Sequence, residues 1–270
     1  MIQGLKRVLK PSNRSLIREL VVSDFKLRYQ NSVLGYLWSL LRPLMLFGIL
    51  YVVFTRILPA ISKGVPHYPA YLLLGLVLWT FFVESTVAGM NAITGRGDLI
   101  RKVSIPKYAI VVSTTLSAFV NFTLNMLIVF VFMLAGHVPF RVNMLLAIPL
   151  LIELIIYCLG LSFLLSALFV KFKDFGHIWD VVLQALFYAT PIIYPLSRPS
   201  HKFQVILSLN PLTQIFQDIR SVMITPLSLT TKQVFNSEWG RILPAIVVVL
   251  LLVLTSLYFR SRSKNFAEDL

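Results

Sequence analysis

Long apolar runs alternate with short polar connections along this chain, and proline and glycine mark most of the joints. A helix that crosses a bilayer needs about 20 mostly apolar residues. Six runs reach or approach that length: 34–57, 69–90, 108–135, 144–170, 178–195 and 242–259. The fifth is the weakest, because Pro191, Pro195 and Pro199 interrupt its end. Before the first run, Ile17, Leu20, Val21, Phe25 and Tyr29 recur at helical spacing. Arg14, Arg18, Glu19, Ser23, Lys26 and Gln30 mostly avoid that stripe. This pattern predicts an amphipathic helix over 14–30 lying flat on a membrane surface. It serves as a plain anchor or as a collar around the mouth of a pathway. Residues 189–226 are too apolar for a free loop and too broken by proline to span. They suit two short re-entrant helices, one before Asn210–Pro211 and one after, sheltered by protein or by a water-filled cavity. The expected fold is therefore an all-α integral membrane protein. It has six transmembrane helices, an N-terminal interfacial helix and two re-entrant helices between helices five and six. A single transmembrane domain, 1–270, divides into an interfacial segment (1–32), a membrane region (33–260) and a tail (261–270).

Composition agrees. Of 270 residues, 57% are hydrophobic and 13% charged, and mean hydropathy is +0.80. Soluble domains carry about 25% charged residues. The net charge of +14 would suggest nucleic acid in a soluble protein. Here the basic residues cluster between apolar runs, which fits topology signals and anionic lipid instead. Sixteen of them fall on the side of the N-terminal tail, the loops after the second and fourth spans, and the C-terminal tail; eight fall on the other side. That asymmetry predicts cytoplasmic termini in a multi-pass protein of the cytoplasmic (inner) membrane. The remaining base, Arg42, lies inside the first span beside Pro43. An intramembrane charge is a functional candidate by default; the alternative is that Arg42 snorkels to the headgroups.

Catalytic motifs are missing. There is no G-x-x-x-x-G-K-[ST] loop to hold ATP and no H-E-x-x-H, C-x-x-C or G-x-S-x-G. His67, His137, His177 and His201 are scattered, and Cys158, alone in an apolar run, reads as a small buried hydrophobe. No metal site, cofactor or enzymatic activity is expected in this chain. Glu84 and Glu153 lie within spans and leave open a proton-coupled secondary transporter. An integral-membrane enzyme acting on lipid-linked intermediates would need a catalytic cluster, and none is found. Most aromatic residues suit an interfacial belt or the core, and Tyr36, Tyr51, Trp79, Tyr188 and Tyr194 are candidates for lining a pathway.

Five stretches then acquire a common meaning: "YQNSVLGYLWSLLRPLM", "NAITGRGDLIRKVSIPK", "VKFKDFGHI", "TPIIYP" and "LNPLTQIFQDIR". In this order and at these separations they resemble the membrane subunit of ATP-binding-cassette exporters for cell-surface polysaccharides, the O-antigen, capsule and teichoic-acid export permeases. The basic, Trp-containing start of the first span is closer to the O-antigen type. The resemblance implies a homodimer with two copies of a separate ATPase, which would bind ATP and Mg. The cargo would be a lipid-linked polysaccharide. It implies that Arg96, Asp98, Leu99, Ile100, Arg101 and Lys102 form a coupling helix in the ATPase cleft. It implies that Tyr36, Trp38, Arg42, Tyr51, Trp79, Glu84, Tyr188 and Tyr194 lie along the pathway, and that Pro191, Pro195, Asn210, Pro211 and Arg220 belong to an outer gate.

Overall fold

The computed structural model describes residues 11–29, 35, 37–102 and 105–266, without the side chains of 11–14, 25, 27–29 and 99. All regular structure among them is helical. Helix α1 (Pro11–Tyr29) precedes α2 (Leu37–Val52), which runs on through a π-turn, Val53–Ile57. Next come α3 (Tyr68–Asn91), the short α4 (Gly97–Lys102) and α5 (Lys107–Ala135). They are followed by α6 (Ala147–Lys171), α7 (Phe175–Ala189), α8 (His201–Ser208), α9 (Pro211–Met223) and α10 (Trp239–Arg262). Five stretches are long and apolar enough to cross a bilayer: Leu37–Ile57, Tyr68–Asn91, Lys107–Ala135, Val142–Lys171 and Trp239–Arg262. The run expected as a fifth span over 178–195 is a helix of 15 residues ending at Ala189. It rises about 22 Å, less than the roughly 30 Å of a hydrocarbon core.

Helix α3 is the hub. It packs against α2, α5, α6, α7 and α9, and every residue from Ala70 to Trp79 is buried. Lipid is as apolar as leucine, so helices in a bilayer associate through close packing and interhelical hydrogen bonds. Small residues make the approach possible. A Cβ on Gly89 of α3 would come 3.1 Å from the Ser162 Cα of α6. A Cβ on Gly160 of α6 would come 2.6 Å from the Leu251 Cδ2 of α10. Polar bonds then fix the register. Ser162 Oγ donates to the Ser85 carbonyl (3.2 Å), and Trp179 Nε1 of α7 donates to Thr86 Oγ1 (3.3 Å). Rings fill the remaining space, with Trp79 against Phe82 and Phe187, and Phe81 against Phe119 and Phe122.

At the end that carries α4, a second apolar cluster joins Ala92, Ile93, Ile110, Val111, Phe163, Phe259 and Phe266. Helix α1 lies against α5 with Ile17 buried and Leu20 packed on this cluster. The expected helices on either side of Asn210–Pro211 are α8 and α9. Asn210 caps α9, its Oδ1 accepting from the Leu212 amide at 3.0 Å, and Pro211 takes the first turn, where no amide donor is needed.

Candidate functional site

At one end the loop after α3 turns through Thr94–Arg96 into α4. Asp98 occupies the first turn of α4, and Arg101 and Lys102 the last, matching the helix dipole. Ile100 is half-buried against the second apolar cluster, and Asp98, Arg101 and Lys102 are exposed. The Leu99 side chain lies outside the described set. Arg96, expected in the coupling helix, stands in the turn just before α4. Its Nη2 forms an ion pair with Asp24 of α1, and its Nη1 reaches Ser113 Oγ of α5 at 3.4 Å. Both charged side chains are about four-fifths buried, with 18% and 20% exposure. Arg96 ties α1 to the root of α4 and does not project from it.

At the other end Arg220 is wholly buried. Its guanidinium lies 3.7 Å over the Tyr71 ring and donates to the Pro191 and Ile192 carbonyls. Gly75 makes room for it, since a Cβ there would overlap Nη2 and come 3.0 Å from the Ile192 carbonyl. Tyr68 donates to the Ile193 carbonyl (3.1 Å), and Asn210 Nδ2 donates to Thr190 Oγ1 (3.1 Å). The backbone just past α7, irregular and proline-marked, thus has its carbonyls satisfied by side chains of α3 and α9, as irregular backbone buried in protein must. Pro191 and Pro195 are buried in this knot. One face further round α9, Asp218 is also wholly buried and accepts from Gln214 Nε2 (2.9 Å) and from Arg241 Nε of α10 (2.8 Å). Glu153 of α6 lies beside them.

The aromatic and charged candidates separate by position. Tyr36 lies outside the described residues. Trp38, 51% exposed, and the exposed Arg42 are four residues apart on one face of α2, while Pro43 is buried. Tyr51 is half-buried and stacks on Phe47 (5.6 Å). Glu84 accepts from Asn121 Nδ2 at 2.8 Å. Tyr194 is half-buried and donates to the Tyr188 carbonyl (2.8 Å); Tyr188 itself is 67% exposed. Trp79 stands apart from these. It is 8% exposed, wedged between Phe82 and Phe187, and serves the core.

The sequence reading passed over a feature of α7. His177, Asp180, Gln184 and Tyr188 are all exposed. Spacings of three, four and four place them within one narrow face, running about 16 Å along the helix. Trp179 and Leu183, on the opposite face, are buried. The signal was the polar period itself. His177 and Tyr188 were each weighed singly, and Asp180 and Gln184 were not weighed. Among the described residues, no group of three His, Cys, Asp or Glu side chains could hold a metal.

Three relatives cover nearly the same length as this chain or most of it. The chain is 31% identical over 260 residues to the O-antigen export system permease protein RfbA of Myxococcus xanthus, covering 95% of this chain and 96% of that protein. It is 27% identical to the O-antigen export system permease protein RfbA of Klebsiella pneumoniae, covering 92% of each. It is 24% identical to the polysialic acid transport protein KpsM of Escherichia coli, covering 77% of this chain and 81% of that protein. Residues 15–224 match the family model described as ABC-2 type transporter. With its several bilayer-length helices, this is a multi-pass membrane protein, and it belongs to the ABC-2 type transporter membrane family.

Proposed function

We propose that the chain is the transmembrane subunit of an ATP-driven exporter that moves a lipid-linked, O-antigen-like polysaccharide across the cytoplasmic membrane, with ATP and Mg bound by a separate ATPase. Two copies of each subunit assemble, the termini are cytoplasmic, α7 completes a six-helix region as its fifth helix, and α8 and α9 are re-entrant. The names of the relatives support the cargo class. The observation that carries the reading is the α7 stripe. Four groups able to hydrogen-bond a sugar lie on the exposed side of an otherwise apolar helix. Lipid is a poor solvent for them, and polar groups in membrane helices face a cavity or a partner. Asp180 accepts from hydroxyls, Gln184 both accepts from and donates to them, and Tyr188 offers a ring for the C–H face of a pyranose. Arg42 and Trp38 on α2 supply a cation for the lipid phosphate and a second ring.

Force enters through the exposed residues of α4, whose Ile100 root sits in the second apolar cluster. The proton-coupled alternative is not favoured. Glu84 is engaged with Asn121 of α5, whereas Glu153 sits with Gln214, Asp218 and Arg241 in a separate group. The test is export from cells or proteoliposomes holding the chain with its ATPase. Asp180→Leu together with Gln184→Leu should cut export at least tenfold while the complex still assembles and hydrolyses ATP. Wild-type export by that variant would remove α7 from the pathway.

A further inference from the structure

A cleft lies between the last turns of α6 and α10, at the end that carries α4. Its walls are Lys171, Phe172, Tyr258, Arg262, Asn265 and Phe266. The chain builds it deliberately. After α10 it turns back, with the Ser263 amide bonded to the Phe259 carbonyl (2.7 Å) and the Asn265 amide to the Arg262 carbonyl (3.1 Å). Phe266 is thereby driven against Phe259 until 1% of it remains exposed. Lys107 holds the turn, donating to the Ser263 carbonyl with its ammonium 5.6 Å from the Phe266 ring. Both cations of the cleft rest over aromatic faces: Lys171 Nζ 5.2 Å from the Phe172 centroid, and Arg262 Cζ 5.7 Å from that of Tyr258. None of the described residues lining it carries a carboxylate.

From this arrangement we infer a binding site for the phosphate headgroup of an anionic bilayer phospholipid. Among the described residues the lining offers two cations, an amide donor and no acid, the chemistry of a phosphate ligand. The level in the membrane selects a lipid over a phosphate free in solution. Leu254, exposed, stands one turn further into α10 than Tyr258 on the same face, and Leu168 of α6 lines the cleft. A headgroup held by Lys171 and Arg262 would lay its acyl chains along Leu254 and Leu168. Phe172 and Tyr258 sit where aromatic rings mark the membrane–water boundary. Basic pockets between helix ends recognise anionic headgroups in this way. The cleft shares no lining residue with the polar stripe of α7 or with α2, touching α7 only where Phe172 meets Phe175, so the inference needs only a bilayer and stands or falls apart from the proposed transport reaction.

The test uses the permease–ATPase complex in nanodiscs of phosphatidylcholine with rising fractions of phosphatidylglycerol, and native mass spectrometry of the lipids retained after release. Saturable preference for phosphatidylglycerol is expected. Lys171→Gln with Arg262→Gln should weaken it roughly 25-fold, at about fivefold for each basic side chain near an anionic surface. The charge-keeping pair Lys171→Arg with Arg262→Lys should retain most of it, and Lys202→Gln, an exposed base at the other end of the molecule, should leave it unchanged. Equal retention of the two lipids, or wild-type retention by the neutralised pair, overturns the site. Retention of added polyprenyl phosphate with no retention of phosphatidylglycerol overturns the bilayer-lipid assignment and gives the cleft to the cargo's carrier.

Discussion

Helices α2 and α3 are almost equally apolar, with mean hydropathies of 1.9 and 1.8, yet 17% of one apolar stretch is buried and 72% of the other. Hydropathy decides that each can cross a bilayer. It does not decide which neighbour each one meets, because lipid and leucine are equivalent company. Small and polar residues decide that. Gly75 and Gly89 of α3 each lie where another chain segment closes to contact distance, against Arg220 and Ser162. Gly48 of α2 has nothing within 4 Å of where a Cβ would stand. Thr86 and Glu84 of α3 bond inward to other helices, while Arg42 of α2 is exposed. The central helix is anchored by what it admits, and the peripheral one is left with a charge to place.

The strongest way to break this comparison is to put the same side chain at both glycines. Gly75→Val should force the Arg220 guanidinium off the Pro191 and Ile192 carbonyls and leave a buried charge without its partners. Losses of that kind run to about 3–5 kcal/mol. Gly48→Val, in open space, should change stability by less than about 0.5 kcal/mol. Thermal unfolding of the two variants in detergent reads the difference directly. Equal stabilities would mean that Arg220 is not what holds the segment after α7.

The same contrast explains what could be read from the sequence. Apolar run lengths located α2, α3, α5, α6 and α10, and the Asn210–Pro211 pair marked the α8–α9 boundary, because those signals are local. Arg220 was legible as unusual but not as an anchor. Its partners are two backbone carbonyls and a tyrosine in distant segments, and backbone groups leave no mark in a sequence. Arg96 looked like part of a basic loop because its partner, Asp24, is 72 residues away on another helix. The burial of Trp79 was not legible, because α3 is apolar all round and no period revealed which of its faces is inward. The α7 stripe was legible, since polar residues at spacings of three and four share a face in any helix. It was lost by considering its members one at a time.

A smaller effect tests the link between α1 and α4. Asp24→Asn or Arg96→Gln should each cost about 1–2 kcal/mol, between the values for exposed and buried pairs. The reversed pair, Asp24→Arg with Arg96→Asp, should recover part of it. If α4 receives the ATPase's motion, both single variants should also lower cargo-stimulated ATP turnover more than basal turnover. A reversed pair no better than the single variants would show that Ser113 and the local packing, and not the ion pair, position the root of α4.

The smallest effect on stability should carry the clearest functional information. Arg42 sits five residues into α2, about 7.5 Å along its axis, and is exposed. A charge held in lipid is costly, by roughly 2.5–3.5 kcal/mol for a mid-helix position on insertion scales. Arg42→Gln should therefore leave unfolding unchanged or slightly raise stability. If Arg42 only snorkels to headgroups, export should be unchanged too, and any residue with a polar tip would do. If it faces a water-filled pathway and meets the cargo's phosphate, export should fall several-fold in Arg42→Gln and recover in Arg42→Lys, since the lysine keeps the point charge. The pair of measurements separates the two arrangements because stability responds to lipid and transport responds to the pathway. Loss of both together would place Arg42 in the packing of the protein, and α2 would then not be the peripheral helix that its exposure describes.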